Sequence, residues 1–281
     1  MSRLIDTLSL IRTLNCLLAL AGVWIGARLA WSDPVYYGPT VASIAAFLIC
    51  AAGNTMNDLL DVEGDRTNHP RRVLVTGRLS AKYARNLALG LNAVALIMAA
   101  TISLSMVVIG LITVGLLGAY NLRLKRIPLV GNVVVALLAA MTFLTGGLAV
   151  DPALTFRLPG PLVAAVFALL FHLVREIVKD VQDMEGDRLV RHDSLPLRIG
   201  VPPALSLTLA VFATMGLLTY VPVLFDWYGD IYEIIVVYLI DLPLLVLLIT
   251  VRLKPRPQML AVASTALKVG MALGLAALVV A

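Results

Sequence analysis

Two short stretches concentrate the residues able to do chemistry. Asn57-Asp58-Leu59-Leu60-Asp61-Val62-Glu63-Gly64-Asp65-Arg66 recurs as Lys179-Asp180-Val181-Gln182-Asp183-Met184-Glu185-Gly186-Asp187-Arg188, with Asp, Asp and Glu-Gly-Asp-Arg in register 122 residues later. Eight of the chain's 17 acidic residues lie here, Asp58, Asp61, Glu63 and Asp65, then Asp180, Asp183, Glu185 and Asp187, and a ninth, Glu176, stands one helical turn before Asp180. At about 100° per residue, Asp58, Asp61 and Asp65 share an arc of about 60° on a helix, and Asn54 and Asn57 widen it to about 100°. His172, Glu176, Asp180, Asp183 and Asp187 share a similar arc. Crowded carboxylates raise the electrostatic energy unless cations join them. They suit Mg²⁺, which takes one or two carboxylates, keeps several waters and completes its shell with phosphate oxygens. Two such clusters suit two ions on one diphosphate. A single acidic helix end is ordinary solvation; a copy in the same register, with Glu176 and His172 set inside an apolar segment, is not.

These arrays must be carried by membrane helices. The chain has 281 residues, 60% hydrophobic and 14% charged, with a mean hydropathy of +0.95, which excludes an ordinary soluble domain. Nine spans are expected, at about 10–31, 38–58, 83–103, 104–121, 128–150, 160–180, 203–224, 232–252 and 258–281. The fold class is therefore an all-α polytopic membrane protein, one membrane-embedded domain over 1–281. Its helices form two parallel four-helix repeats, about 1–125 and 126–252, followed by an extra helix at 258–281. The acidic arrays close spans two and six, where Gly64 and Gly186 are expected to end the helices.

The net charge of +5 does not imply a nucleic-acid partner, because the basic residues fall between apolar segments and not in one stripe. On one side of the nine spans lie 19 of the 22 lysines and arginines, Arg191 among them. The positive-inside rule makes that side, with the amino terminus and both arrays, cytoplasmic in a multi-pass protein of the cell membrane. Cys16 and Cys50 form neither a metal nor a redox motif.

The pair Asn57-Asp58-x-x-Asp61-x-x-x-Asp65 and Asp180-x-x-Asp183-x-x-x-Asp187 resembles the two aspartate-rich motifs of the UbiA superfamily of intramembrane prenyltransferases. The likeness extends over nearly the whole chain. It implies nine helices around a central polar chamber, Mg²⁺ as cofactor, and a prenyl diphosphate and a lipid-like acceptor as partners. By that resemblance Asn57, Asp61, Asp183 and Asp187 are the first metal or diphosphate ligands, with Asp58, Asp65 and Asp180 next, and Asp61, Asp65, Asp183 and Asp187 are catalytic. Arg175 to Asp187 is most similar to the archaeal-type branch, as are Arg12-Thr13-Leu14-Asn15 and Pro128-Leu129-Val130-Gly131-Asn132. That branch implies transfer of geranylgeranyl to geranylgeranylglyceryl phosphate for ether lipid. An aromatic acceptor of quinone or chlorophyll-type synthesis is the neighbouring alternative, and a cation-coupled transporter is one of another class. The superfamily often reads Pro-x-Arg-Pro-x-x-Ser-Gly where this chain has Pro70-Arg71-Arg72-Val73-Leu74-Val75-Thr76-Gly77, so the loop over the site is expected to differ.

Substrate contacts are expected from Asn15, Arg71, Arg72, Tyr120, Lys125, Asn132, Glu176 and Lys179, since Arg and Lys are the natural partners of phosphate oxygens. Arg78 is a further loop cation of the same kind. His172 reads as a hydrogen-bonded packing residue. Asp241 and Lys268 lie roughly 16 to 18 Å deep, about 11 and 12 residues from Arg252 and Arg256, and are expected to form a structural ion pair.

Overall fold

A computed structural model describes residues 2–30, 37–189 and 193–280, without the side chains at 2, 67, 68, 185, 186 and 189. Arg191 and the Glu185 side chain therefore lie outside the described residues. The described chain is helical, with no strand. Its helices are α1 (Ser2–Leu10), α2 (Thr13–Leu29), α3 (Tyr37–Leu60), α4 (Val62–Asn68), α5 (Ala81–Ala100), α6 (Leu104–Leu122), α7 (Val130–Val150), α8 (Pro152–Thr155), α9 (Pro161–Leu189), α10 (Leu195–Ile199), α11 (Val201–Leu224), α12 (Asp230–Glu233), α13 (Leu242–Leu253) and α14 (Pro257–Val280). Among the described residues eight helices are long and apolar enough to cross a membrane, and nine when the bent pair α1 and α2 counts as one. One of the eight runs from Asp230 to Leu253 through a π-helical stretch, Ile234–Asp241, that joins α12 to α13. Large side chains such as Ile97, Leu104, Leu217 and Val246 are exposed along these spans, a surface compatible with hydrocarbon and not with water.

Local chemistry sets the helix limits. Ser80 caps α5 by accepting from the Tyr83 N–H, and Ser103 caps α6 by accepting from the Met106 N–H. The first span departs from its expected start at residue 10. The chain bends 54° between α1 and α2, and Arg12 takes a left-handed backbone there, φ 53°. Gly64 and Gly186 do not end their helices, contrary to expectation. The first array breaks at Asp61, between α3 and α4, and α9 continues through Gly186 to Leu189. A glycine stops a helix when the chain needs a left-handed residue, and positive φ among the described glycines occurs only at Gly77 and Gly200. Elsewhere glycine weakens a helix by about 1 kcal/mol, which the bonds across the Asp61 break offset: the Asp61 N–H reaches the Asn57 carbonyl at 3.0 Å and the Asp65 N–H reaches the Asp61 carbonyl at 2.8 Å.

The chain divides into two compact units, Met1–Leu124 with Thr142–Phe156, and Lys125–Met141 with Arg157–Ala281. In the first unit α3 packs on α2, α5 and α6, around a core that includes Val23, Ala42, Ala99, Met106 and Ala149. In the second, α9 packs on α11 and α14. Each unit carries one acidic array. Close helix approach in the first unit depends on small residues, as expected where no hydrophobic force favours protein over lipid. A Cβ on Gly26 would stand 2.1 Å from the Phe143 carbonyl oxygen, and one on Gly146 would stand 2.0 Å from that of Val23.

Both partners of that contact are backbone, which cannot rotate aside. Gly26→Ala and Gly146→Ala are each expected to destabilise the protein by about 3 kcal/mol. Thermal unfolding in detergent should show a large fall in midpoint or no monodisperse protein. Gly90→Ala, where a Cβ meets nothing within 4 Å, should match or exceed the parent.

Candidate active site

The first array is built from the C-terminal end of α3, the Asp61 break and α4. Asn57 Nδ2 donates to Asp61 Oδ2 at 3.1 Å and to Asn121 Oδ1, from α6, also at 3.1 Å. Asn121 in turn donates to the Gly53 carbonyl at 3.3 Å. This chain of amides orients Asn57 towards Asp61 and ties α6 to α3. Asp58 and Asp65 are both buried, at 6% exposure. Asp58 Oδ1 accepts from Arg12 Nη2 at 2.6 Å and Arg72 Nη1 at 3.2 Å, and Arg72 Nη1 also donates to Asp65 Oδ2. Burial pushes the Asp65 carboxyl upward, while Arg72 beside it works in the other direction. Asn54, the innermost member of the polar arc, donates to the Ile11 carbonyl at 2.9 Å, satisfying a group left by the bend between α1 and α2.

Arg72 reaches the array from a loop with its own small core. Val73 and Leu79 pack with Leu10 and Ala84, so the residue that replaces the superfamily's second proline is a buried apolar anchor. Thr76 Oγ1 donates to the Arg72 carbonyl at 3.1 Å and accepts from Arg78 Nε at 3.0 Å. Arg78 is committed to Asp6. Arg71, Arg66 and Glu63 are exposed, as is Asn15, while Tyr120 is half-buried.

The second array lies on α9. Asn132, from the start of α7, donates to Asp180 Oδ2 at 2.8 Å. Glu176 is buried and accepts from Arg175 Nη1. Asp183 and Lys179 are exposed, and Asp187 and Lys125 are half-buried. His172 lies one turn inward from Glu176 with its Nδ1 buried and unpartnered, so it is not the hydrogen-bonded packing residue that was expected. The expected pair of Asp241 and Lys268 does not form: Asp241 Oδ2 accepts from Thr219 Oγ1 at 2.6 Å, and Lys268 is exposed. Lys268 turns outward, where a long side chain can carry its charge towards the membrane surface.

The structure thus joins Asn57 to Asp61 and Asn132 to Asp180, and binds Asp58 and Asp65 to arginine. Two contributors were not singled out from sequence for these tasks. Arg12 enters the sequence reading only within the Arg12-Thr13-Leu14-Asn15 likeness, without a role of its own, and Asn121 follows Tyr120 without a motif. The signal for Asn121 is a polar side chain at the end of an apolar span. Among the described residues no three carboxylate, histidine or cysteine side chains form a ready metal cage. That donor set still fits Mg²⁺, which is held by one or two protein carboxylates with water and phosphate and not by an all-protein cage. Asn57 with Asp61, and Asp180 with its neighbours on α9, are of that kind.

The sequence matches the UbiA prenyltransferase family over residues 15–269. It is 37% identical to the digeranylgeranylglyceryl phosphate synthase of Methanopyrus kandleri over 218 residues, 77% of this chain and 78% of that one. A solved digeranylgeranylglyceryl phosphate synthase superposes with a TM-score of 0.80 at 28% identity, covering 100% of this chain and 98% of its own. A UbiA homolog from Archaeoglobus fulgidus, solved bound to DMAPP and Mg²⁺, has the same fold, with a TM-score of 0.68 at 19% identity over 98% of this chain and 100% of that one.

Removing Asn121 leaves half of the Asn57 amide without its acceptor, while the Gly53 carbonyl keeps only its bond within α3. Asn121→Ala should lower stability by about 1 to 2 kcal/mol, read as a lower unfolding midpoint in detergent, whereas Asn15→Ala, at an exposed position, should leave the midpoint unchanged.

Proposed function

Because this chain belongs to the UbiA prenyltransferase family, we propose that it transfers geranylgeranyl from its diphosphate to geranylgeranylglyceryl phosphate, an ether-forming step of lipid synthesis. The observation that carries the choice of acceptor is the 37% identity with a digeranylgeranylglyceryl phosphate synthase across 77% of the chain. The aromatic-acceptor and transporter alternatives have no comparable support. The acids also lie towards helix ends and not at a midplane, which a rocking cation carrier would require.

In this reading Asn57, Asp61 and Asp65 of the first array, and Asp180, Asp183 and Asp187 of the second, would hold Mg²⁺, which would supply positive charge to the leaving diphosphate. Asp58, already taken by two guanidinium groups, stands apart from that ligand set. Arg71, Arg72, Lys125 and Lys179 supply charge-assisted hydrogen bonds to phosphate oxygens. The allylic C1–O bond breaks with its electron pair leaving on the diphosphate. The acceptor hydroxyl oxygen forms the new bond to C1, and its proton passes to a carboxylate of the arrays. Catalysis is then electrostatic stabilisation and positioning, while apolar helix walls hold the isoprenoid and keep water from the allylic centre. Asn15, Tyr120, Asn132 and Glu176 position the substrates. The charge distribution supports a cytoplasmic amino terminus and cytoplasmic arrays.

Purified protein in detergent or liposomes, given radiolabelled geranylgeranyl diphosphate and a panel of acceptors, tests this assignment. Label should enter an ether of geranylgeranylglyceryl phosphate and should cease to do so when Mg²⁺ is chelated. Prenylation of 4-hydroxybenzoate but not of the glyceryl phosphate would overturn the acceptor. Asp61→Ala and Asp183→Ala should each reduce turnover by about 10²-fold or more; full activity in both would remove the metal assignment.

A further inference from the structure

Helix α1 has two unlike faces. At about 100° per residue, Leu4, Ile5 and Leu8 share an arc of about 100°, and Arg3, Asp6, Thr7 and Leu10 share another on nearly the opposite side. The second arc is occupied by protein. Asp6 is buried and accepts from Arg78 Nη1 at 2.5 Å, and Thr7 Oγ1 lies 3.1 Å from the Tyr83 hydroxyl. The Arg3 guanidinium stands 4.8 Å over the Tyr83 ring, and Leu10 packs with Val73, Leu79 and Ala84. The first arc is open: Leu4, Ile5 and Leu8 are 65%, 59% and 43% exposed.

Three large apolar side chains on one open helix face mark a surface that meets something other than water. Three features identify lipid as what meets them. The exposed leucines continue along the chain into Leu14 and Leu17 at the start of α2, and α2 belongs to the bent pair that crosses the membrane. The 54° bend turns α1 away from the axis of that span, as a helix must turn to leave the hydrocarbon and run along its surface. Arg3 is exposed, as are Lys82 and Arg85, which flank the Tyr83 that meets α1. An apolar face, a polar face and bordering cations are the features of a helix lying between the headgroups and acyl chains of anionic lipid.

We propose that the Leu4, Ile5 and Leu8 face of α1 is a docking surface for a negatively charged lipid leaflet, on the same side of the membrane as the first array. The opposite face gives this docking its consequence. Asp6 holds Arg78, and Leu10 packs with Val73 and Leu79. The same loop carries Arg72 to Asp58 and Asp65. Lipid against α1 therefore supports the loop from one side, while the carboxylates of the array hold it from the other. The assignment is independent of which acceptor is prenylated.

Depth measurement on the full chain tests the surface. Leu4→Cys, Ile5→Cys and Leu8→Cys would each be labelled with an environment-sensitive fluorophore in phosphatidylglycerol nanodiscs and compared with Arg71→Cys on the exposed loop. The parent, with Cys16 buried and Cys50 half-buried, gives the background labelling. The three α1 labels should emit at shorter wavelength than the loop label. Nitroxides on the lipid acyl chains should quench them severalfold more than a water-soluble nitroxide does, and part of that quenching should be lost in phosphatidylcholine. Ile5→Asp should abolish lipid quenching of the Leu8→Cys label; quenching that persists there would mean that the fluorophore enters lipid by itself, and would overturn the proposal. Stronger quenching of all three by the water-soluble probe would overturn it as well. Protection from both probes would give the face to protein, such as a second copy of the chain, and exclude lipid. Equal quenching in the two lipids would overturn the requirement for an anionic leaflet.

Discussion

A carboxylate at the end of an apolar helix stays charged only where a cation or a hydrogen-bond donor stands beside it, and this requirement organises both acidic arrays. Asp58 and Asp65 are buried and share Arg72, with Arg12 as a second partner for Asp58. Asp180 has the Asn132 amide, and Glu176 has Arg175. In the first array Arg12 and Arg72 hold Asp58 and Asp65. A bound divalent cation would itself be the largest local charge among these carboxylates. Neutral donors such as Asn57 and Asn132 orient carboxylates without cancelling their charge.

The same requirement applies to the backbone, because inside a membrane each N–H and C=O must find its partner in the protein. The helix interruptions sit where side chains or adjacent turns provide one. The bend after α1 leaves the Ile11 carbonyl to Asn54, and the break at Asp61 keeps its hydrogen-bond ladder running into α4. The bend also delivers the Arg12 side chain to Asp58, so one local distortion serves both backbone satisfaction and charge placement. Close contact between backbones at Gly26 and Gly146 holds the first unit together at the level that lipid surroundings permit, by van der Waals fit.

Much of the candidate site was legible in the sequence because its signals are local. Acid spacing near the helical repeat put Asp58, Asp61 and Asp65 on one face, and the second copy at the same spacing raised the pattern above chance. Hydropathy located the spans because the hydrocarbon core imposes a minimum apolar length. The failures were non-local or weak. Gly64 and Gly186 were read as helix ends by composition, but a glycine's preference is small beside the contacts of its neighbours. Asp241 and Lys268 were matched by depth alone, and depth says nothing about azimuth: Asp241 meets Thr219 while Lys268 is exposed.

The sequence by itself determined an all-helical membrane chain with two carboxylate arrays in register, and the family to which such arrays belong, because residue type and spacing along a helix carry that information. Tertiary structure alone decided that Asp58 is the shared anchor of Arg12 and Arg72, that Asn121 orients Asn57, and that Asn132 serves Asp180. Those partners lie 14 to 64 residues apart in the chain. Which polar side chains meet over such separations is set by how helices pack and turn about their axes, and no local periodicity records that.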